Sequence, residues 1–240
     1  RPAWMGKWKP AKMRSNGSGA IFPSTLPNRN GRSRRRCNNL SYIPALGDLL
    51  LSLPAVLWAI TFHEYCHGRA ADFLGDPTPA RMGRLTLNPL AHLDPIGALM
   101  LLVFRFGWAK PVPIDPRYFR RPGRDMAIVS LAGSAGNLTT AVACGIAVRL
   151  FPGPFINIPA LGRFVVLMIL INLGLGVFNL VPIPPLDGSK LISPFLPPSW
   201  LRGFYWLERY GIFILMILLG LGVVQAAISP VIMTLFHWIL

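Results

Sequence analysis

The order of apolar and polar residues along this chain predicts helices that cross a membrane. A spanning helix needs about 20 consecutive apolar residues to cover about 30 Å of hydrocarbon at 1.5 Å per residue. Beyond residue 40, four stretches of about this length or longer contain almost no charge: residues 43–62, 126–148, 164–186 and 210–240. Asp48 is the one acid inside the first stretch, and Gln225 and Pro230 divide the last into a full span and a short terminal one.

Shorter segments between these stretches predict the remaining elements. Residues 95–104 are apolar but too few to span a bilayer, which is typical of a re-entrant or partly buried helix. Residues 84–88 alternate polar and apolar side chains, as a short strand at the membrane surface would. We therefore predict an all-α polytopic membrane protein with four to six transmembrane helices and a short membrane-surface β-hairpin or re-entrant segment.

Composition supports a membrane protein and assigns much of the excess charge to one segment. Hydrophobic residues make up 52% of the chain and charged residues only 14%, against about 25% in soluble domains. The formal net charge of +15 is typical of nucleic-acid-binding proteins, but ten basic residues and no acid lie in residues 1–40. We interpret residues 1–40 as a disordered basic arm and residues 41–240 as a single membrane domain, and we expect no nucleic-acid partner.

Two interpretations of the arm remain open. Its basic side chains would bind anionic lipid headgroups, at about 1 kcal/mol each, or form a solvated tail. The first thirty residues lack the pattern of a cleaved signal peptide, so none is predicted. Three widely spaced cysteines, Cys37, Cys66 and Cys144, predict no disulfide framework.

A metal-binding motif lies at the end of the first apolar stretch. Residues 63–67 read His-Glu-Tyr-Cys-His, and on a helix His63 and His67 lie one above the other, where both imidazoles reach one tetrahedral metal. Glu64 projects beside that metal, where a carboxylate can take a proton from metal-bound water. The motif would arise by chance in a chain of this composition with a probability of roughly 5 in 10,000. The structural alternative is a helix cap at the headgroup level.

A zinc site with two histidines needs a third protein ligand and an open position for water. Asp187 is embedded between apolar stretches, after three prolines that bend the chain and turn the carboxylate inward. Glu208 is the competing candidate, although a surface salt bridge is its simpler explanation. Cys66 offers a thiolate or, more simply, a small packing residue.

Two residues of the first polar connection are candidates to orient a ligand. His92 and Asp94 carry side chains that hydrogen-bond metal ligands in many sites. A structural hydrogen bond within the loop is the alternative for His92.

Together these motifs resemble the site-2 protease family, the intramembrane zinc metalloproteases, in its compact bacterial branch. The resemblance rests on residues 63–67 paired with Asn-Leu-Val-Pro-Ile-Pro-Pro-Leu-Asp-Gly at 179–188. Further matching segments lie at residues 83–89, 91–97, 108–113 and 131–137. The resemblance covers about residues 45–215 and leaves the arm outside, and we find no PDZ or CBS module in the sequence.

By position, the resemblance implies one Zn²⁺ per chain held by His63, His67 and Asp187, with Glu64 as the general base that activates a zinc-bound water. It also implies that Asn137 lies near the substrate, where it would stabilise the oxyanion. The expected reaction is hydrolysis of peptide bonds in membrane-embedded or membrane-proximal substrates. The expected partners are a membrane protein or peptide and the lipid bilayer.

The basic connections predict an orientation. Residues 68–94 and 105–125 are rich in arginine, which by the positive-inside tendency places them and the active site on the cytoplasmic side of a bacterial cell membrane. The basic arm disagrees if one simple span separates it from Arg69. Two other classes stay open: an ion or proton-coupled transporter that uses the ionisable residues as a pathway, and a catalytically silent membrane scaffold. A divalent metal other than zinc also stays open.

Overall fold

A computed structural model describes residues 46–97 and 109–240 of the chain, and within these ranges the chain is mostly helical, as predicted. The helices are α1 (Leu46–Phe73), α2 (Thr78–Arg81), α3 (Pro122–Leu150), α4 (Pro152–Asn157), α5 (Pro159–Asn179), α6 (Asp187–Ile192), α7 (Pro198–Gly220) and α8 (Val223–Ile239). The described ranges contain no β-strand. Their β-pairing is limited to an isolated bridge between Leu93 and Ala109.

Prolines and glycines determine where several helices begin and end. Helices α3, α4, α5 and α7 each begin with a proline, whose missing N–H group would have no helical partner in the first turn. Helix α5 ends at Asn179, since three prolines follow within residues 182–185, and the apolar stretch predicted at 164–186 therefore overruns the helix. Gly222 joins α7 to α8 with a φ of 73°, a left-handed conformation that glycine adopts without strain.

Two helices, α3 and α5, are long and apolar enough to cross a membrane. A third span is added if Trp206–Gly220 and Val223–Ile239 count as one, although they bend by 74° at the break between them. The first predicted stretch, residues 43–62, begins outside the described residues and continues into α1. The described part of the chain thus supports two spans, or three, of the four to six predicted.

Helices α1, α3 and α5 pack against one another and form the centre of the described part of the chain. Glycines at their contacts allow the backbones to approach closely, since Gly136 of α3 faces Cys66 of α1, and Gly176 of α5 faces Leu138 of α3. Helix α6 packs against α3, which brings residue 187 to the same centre. Four buried apolar residues fill the space between α3 and α5: Ala141, Val165, Ile169 and Leu173. Partly buried residues of α8, such as Phe236, pack against them.

The short strand predicted at residues 84–88 is wrong, because this segment is an irregular loop in the structure. Its buried polar member, Arg84, donates hydrogen bonds to the backbone carbonyl groups of Lys110 and Pro111. His92 closes the loop with its Nε2 atom 2.8 Å from the carbonyl oxygen of Thr86. The side chains of Arg84 and His92 therefore bind backbone carbonyl groups in this loop, in place of the backbone hydrogen bonds that a neighbouring strand would provide. Most of the predicted re-entrant segment, residues 98–104, and the arm at 1–40 lie outside the described residues.

Candidate metal centre

His63 and His67 lie on the face of α1 that packs against α3. Both residues are buried, with 5% and 6% of their surface exposed, and their Nε2 atoms lie 2.9 Å apart. The four-residue spacing places them one turn apart on the same helix face. Gly133 of α3 lies directly against both imidazoles, since a Cβ at that position would overlap them. The missing side chain at position 133 therefore provides the space for the pair.

Asp187, the first residue of α6, lies within hydrogen-bond distance of both histidines. Its Oδ2 lies 3.1 Å from Nε2 of His63 and 3.0 Å from Nε2 of His67, while Oδ1 accepts from Nζ of Lys190 at 3.3 Å. Burial raises the pKa of the Asp187 carboxyl, but the two imidazoles, when protonated at Nε2, and the Lys190 ammonium lower it more, so that this pKa lies well below its usual range. Asp187 is therefore ionised at neutral pH, as a carboxylate ligand has to be.

The turn before α6 has little freedom to move. A Cβ at Gly188 would overlap the backbone carbonyl oxygens of Leu180 and Val181, so a larger residue has no room beside Asp187. Ser189 also donates to the carbonyl oxygen of Leu186 at 2.7 Å. The three prolines and this packing together fix the direction of the carboxylate.

Hydrogen bonds on the far side of each imidazole determine which nitrogen carries the proton. Nδ1 of His67 lies 2.7 Å from the carbonyl oxygen of Val129, which only accepts, so Nδ1 is the donor. Nδ1 of His63 lies 2.6 Å from Oδ1 of Asn137. That amide is oriented by its Nδ2, which donates to the carbonyl oxygen of Ala59 at 3.0 Å, so its Oδ1 faces the imidazole as an acceptor. In the neutral imidazoles both Nε2 atoms therefore present lone pairs to the carboxylate.

Three acceptor atoms that converge without a proton between them repel one another unless a cation lies among them. The two Nε2 atoms and Oδ2 of Asp187 are 2.9 to 3.1 Å apart, and the ligands of a tetrahedral zinc at about 2.05 Å lie about 3.3 Å apart. Imidazole and carboxylate are both common zinc ligands, and three protein ligands leave the fourth position open. The donor set of His63, His67 and Asp187 therefore fits zinc, and among the described residues it forms a cluster that could hold a metal ion.

Glu64 follows His63 on α1 and lies beside the cluster of His63, His67 and Asp187. Its Oε2 accepts from the backbone N–H group of Val112 at 2.8 Å. No partner of Oε1 is found in the part of the chain that the structure describes. One oxygen of the carboxylate is thus held, and the other is available to accept a proton.

A cavity of about 320 Å³ opens onto these residues. Its polar lining includes the three clustered ligands, Glu64, Asn179 and Lys190. The other walls are largely apolar, with contributions from Ile60, Val112, Val129, Leu175, Phe178 and Leu215. An apolar cavity with a few convergent polar groups is the usual form of a substrate site.

Asn137 does not line this cavity, in contrast to its expected place beside the substrate. It is fully buried, and its Nδ2 donates to Ala59 and also to Oδ1 of Asn172 at 2.9 Å. No amide N–H is therefore left to stabilise an oxyanion, and the oxygen of Asn137 is used by His63. The structure places this residue behind His63 and outside the cavity lining.

His92 and Asp94 also differ from their expected contact with a ligand. The imidazole of His92 binds the carbonyl oxygen of Thr86 within its own loop, and Asp94 accepts from the N–H group of Gly97 at 2.8 Å. Neither side chain contacts the clustered histidines or Asp187 within the described ranges. Both residues close turns in the loop.

The two competing ligands lie elsewhere as well. Glu208 is exposed on α7, and the sulfur of Cys66 faces Gly136 in the contact between α1 and α3. Sequence reasoning missed two groups that the structure brings to the site, Lys190 and the backbone N–H of Val112. Lys190 follows Asp187 by three residues, a spacing at which helical side chains meet, so that signal was present. The Val112 amide gives no local signal, because 48 residues separate it from Glu64.

The fold and the site together define a class: a helical protein with membrane-length apolar helices and a cluster of two buried histidines and one carboxylate that could hold a metal ion. Comparison with known proteins agrees with this class and names the family. The model of Peptidase family M50 matches residues 148–218. No solved structure matches the chain significantly.

Curated relatives extend the match over most of the chain. It is 38% identical over 165 residues to "Putative zinc metalloprotease YwhC" of Bacillus subtilis, covering 67% of this chain and 75% of the relative. It is 32% identical over 191 residues to "Putative zinc metalloprotease Rip2" of Mycolicibacterium smegmatis, covering 75% and 69% respectively. The Rip2 protein of Mycobacterium tuberculosis strain H37Rv is 29% identical over 178 residues, or 72% and 67%. The chain belongs to peptidase family M50, which confirms the predicted resemblance to the site-2 proteases.

Proposed function

We propose that this protein is an intramembrane zinc metalloprotease that hydrolyses peptide bonds of membrane-embedded or membrane-proximal substrates. The observation that carries the proposal is the convergence of two imidazole lone pairs and the Asp187 carboxylate within 3.1 Å, beside the carboxylate of Glu64. Membership of the M50 family and the printed names of the relatives as zinc metalloproteases support the same activity. The Zn²⁺ would be one per chain.

His63, His67 and Asp187 would hold the metal, and Glu64 would act as the general base. Bound zinc would polarise the scissile carbonyl group and acidify the attacking water. Glu64 takes a proton from that water at Oε1, while Oε2 stays on the N–H group of Val112 and keeps the carboxylate from turning. The same carboxylic acid then donates its proton to the leaving amine nitrogen.

The residues behind the ligands keep them ready to bind. Val129 and Asn137 retain the Nδ1 protons of the two imidazoles, so both Nε2 lone pairs stay directed at the ion. Lys190 retains Oδ1 of Asp187, which leaves Oδ2 as the single ligand atom of that carboxylate.

The substrate would bind as a locally extended chain. The carbonyl groups of a helix are hydrogen-bonded internally, so a helical segment has to unwind before its peptide bond can be attacked. Leu175, Phe178 and Leu215 offer apolar walls to the substrate side chains, and Asn179 and Lys190 offer polar groups to its backbone. We therefore expect substrates whose cleaved segment is apolar and unwinds easily.

For the whole chain we propose four to six spans in a bacterial cell membrane, with the active site towards the cytoplasm. The exposed arginines of the described polar connections support this orientation, because such residues remain predominantly on the cytoplasmic side. They include Arg69, Arg81, Arg120, Arg121 and Arg124.

Substitution of Glu64 tests the proposed chemistry. We expect purified Glu64→Gln protein to cleave fluorescein-labelled casein in detergent at least about 100-fold more slowly than wild type, because the amide cannot take the proton. Its zinc content should equal that of wild type, since Glu64 is not a proposed ligand. Glu208→Gln, an exposed change on α7, is the matched control and should cleave like wild type.

Either of two outcomes would contradict the proposal. Equal rates of cleavage by Glu64→Gln and wild type would show that Glu64 takes no part in the reaction. A zinc-loaded wild type that cleaves neither casein nor apolar transmembrane peptides would favour a transporter or a silent scaffold.

A further inference from the structure

The guanidinium of Arg84 and the carboxylate of Glu64 lie at opposite ends of one peptide group. Nη2 of Arg84 donates to the carbonyl oxygen of Pro111 at 3.2 Å, and the N–H of the same peptide group, on Val112, donates to Oε2 of Glu64 at 2.8 Å. The same Nη2 also donates to the carbonyl oxygen of Lys110. A trans peptide points its C=O and N–H in opposite directions, so a cation at one end and an anion at the other stabilise the same orientation.

Arg84 is a buried cation with only 6% of its surface exposed. Burial of a charge is unfavourable unless an anion or hydrogen bonds compensate for it. No carboxylate of the described residues pairs with this guanidinium, and its Nε has no hydrogen-bond partner there. The two backbone carbonyl groups of Lys110 and Pro111 are therefore its observed compensation, and its charge is directed at that backbone.

The backbone segment 110–113 offers Glu64 one donor. Pro111 and Pro113 have no N–H group, so Val112 supplies the one amide hydrogen between them. The segment begins with a hydrogen bond from the N–H of Lys110 to the carbonyl oxygen of His92 at 2.9 Å. Arg84 then binds the carbonyl oxygen of the next peptide group, whose N–H, on Val112, donates to Glu64.

We propose that Arg84 is a positioning residue for Glu64 and acts through the peptide group between Pro111 and Val112. The proposal rests on the proposed function, in which Glu64 is the base. Arg84 is not among the residues that line the cavity, so its effect is on the orientation of the Glu64 carboxylate and not on substrate or metal contacts. Such an effect lowers kcat and leaves KM and zinc binding unchanged.

The test compares Arg84→Met, which keeps the length of the side chain but removes its charge, with wild type and with Arg84→Lys. Hydrogen exchange at the Val112 amide measures the hydrogen bond directly and needs no turnover. We expect Arg84→Met to increase that exchange about 10-fold or more and to lower kcat on labelled casein about 10-fold or more. Zinc content and KM should stay at wild-type values, and Arg84→Lys should restore part of both losses.

Arg81→Met is the matched control, because Arg81 is an exposed basic residue three positions earlier. It should have wild-type exchange and wild-type kcat. Wild-type exchange at Val112 or wild-type kcat in Arg84→Met overturns the proposal. Loss of zinc together with activity also overturns it, because that result assigns Arg84 a general structural role.

Val112→Pro keeps the proposal testable if Arg84→Met does not fold. Residue 112 precedes Pro113 and is therefore biased towards extended backbone, which is compatible with the φ of proline. This variant removes the N–H that Glu64 accepts from and should lower kcat about 10-fold with zinc retained, whereas wild-type kcat would overturn the proposal. If wild type itself cleaves nothing, the proposed function fails, but exchange at Val112 and zinc content still decide whether Arg84 holds this peptide group.

Discussion

The hydrogen bonds of Asn137 determine which nitrogen of His63 is available to a metal. Nδ2 of Asn137 is used by Ala59 and Asn172, so Oδ1 has to accept and His63 has to carry its proton on Nδ1. The amide cannot turn over without losing all three contacts. Outer hydrogen bonds of this kind typically change metal affinity about 10- to 100-fold.

Asn137→Leu keeps the approximate size of the side chain and removes these hydrogen bonds. We expect its zinc affinity, measured by competition with a chromophoric chelator, to fall about 10- to 100-fold because His63 is no longer held in one tautomer. Thr139→Val, an exposed change of similar shape on the same helix, should retain wild-type affinity. If the zinc affinity of Asn137→Leu lay within about twofold of wild type, Asn137 would have no role in metal binding.

At the scale of elements, the approach of α3 to α1 depends on the glycine at position 133. The imidazoles of His63 and His67 occupy the place of its missing side chain. Alanine favours a helix over glycine by about 1 kcal/mol. A glycine-to-alanine substitution in the middle of α3 would therefore stabilise the helix wherever the added methyl group had room. At position 133 the overlap with the imidazoles has the opposite effect.

Gly133→Ala should therefore lose most of its zinc, because the added methyl group displaces both histidines. The measurement is the zinc content of the purified protein together with its thermal unfolding. Gly174→Ala is the matched control, since a Cβ at this position of α5 meets no atom within 4 Å. It should keep its zinc and unfold at the same or a higher temperature. A Gly133→Ala protein with a full complement of zinc would be inconsistent with the packing described here.

Local signals explain why some elements and site residues were predictable from the sequence. The pair His63 and His67 needs only the helical repeat, and Asp187 is recognisable as an acid among apolar residues next to prolines. The place of Asn137 behind His63 depends on a contact across 74 residues, which no periodicity reports. The predicted strand at residues 84–88 failed because the polar and apolar residues there do not alternate in burial: the polar Arg84 is buried and binds a distant backbone segment, whereas the apolar Leu87 is exposed.

At the scale of the whole molecule, the length of α3 makes the proposed orientation testable. This helix has 29 residues and is about 43 Å long, more than the about 30 Å of a hydrocarbon core. Its two ends therefore emerge on opposite sides if it crosses the membrane. The residues before α3 belong to the arginine-rich connections, and those after it form α4.

Two single cysteines should report this orientation in a variant whose native cysteines are replaced by alanine. Met82→Cys and Ile156→Cys change residues that are 62% and 66% exposed. We expect a membrane-impermeant maleimide to label Ile156→Cys in intact cells and Met82→Cys only after permeabilisation, because the proposed orientation places the arginine-rich side in the cytoplasm. The reverse pattern would place the active site on the outer side.

The metal centre underlies the whole proposed activity, and its content of zinc is the most direct measurement. Elemental analysis would compare detergent-purified wild type, after addition and removal of excess zinc, with the double variant His67→Ala, Asp187→Ala. We expect about one zinc per chain in wild type and none in the double variant, because a single remaining protein ligand does not hold the ion. A wild type without zinc, or a double variant that retains one zinc per chain, would contradict the assignment of the metal centre to His63, His67 and Asp187.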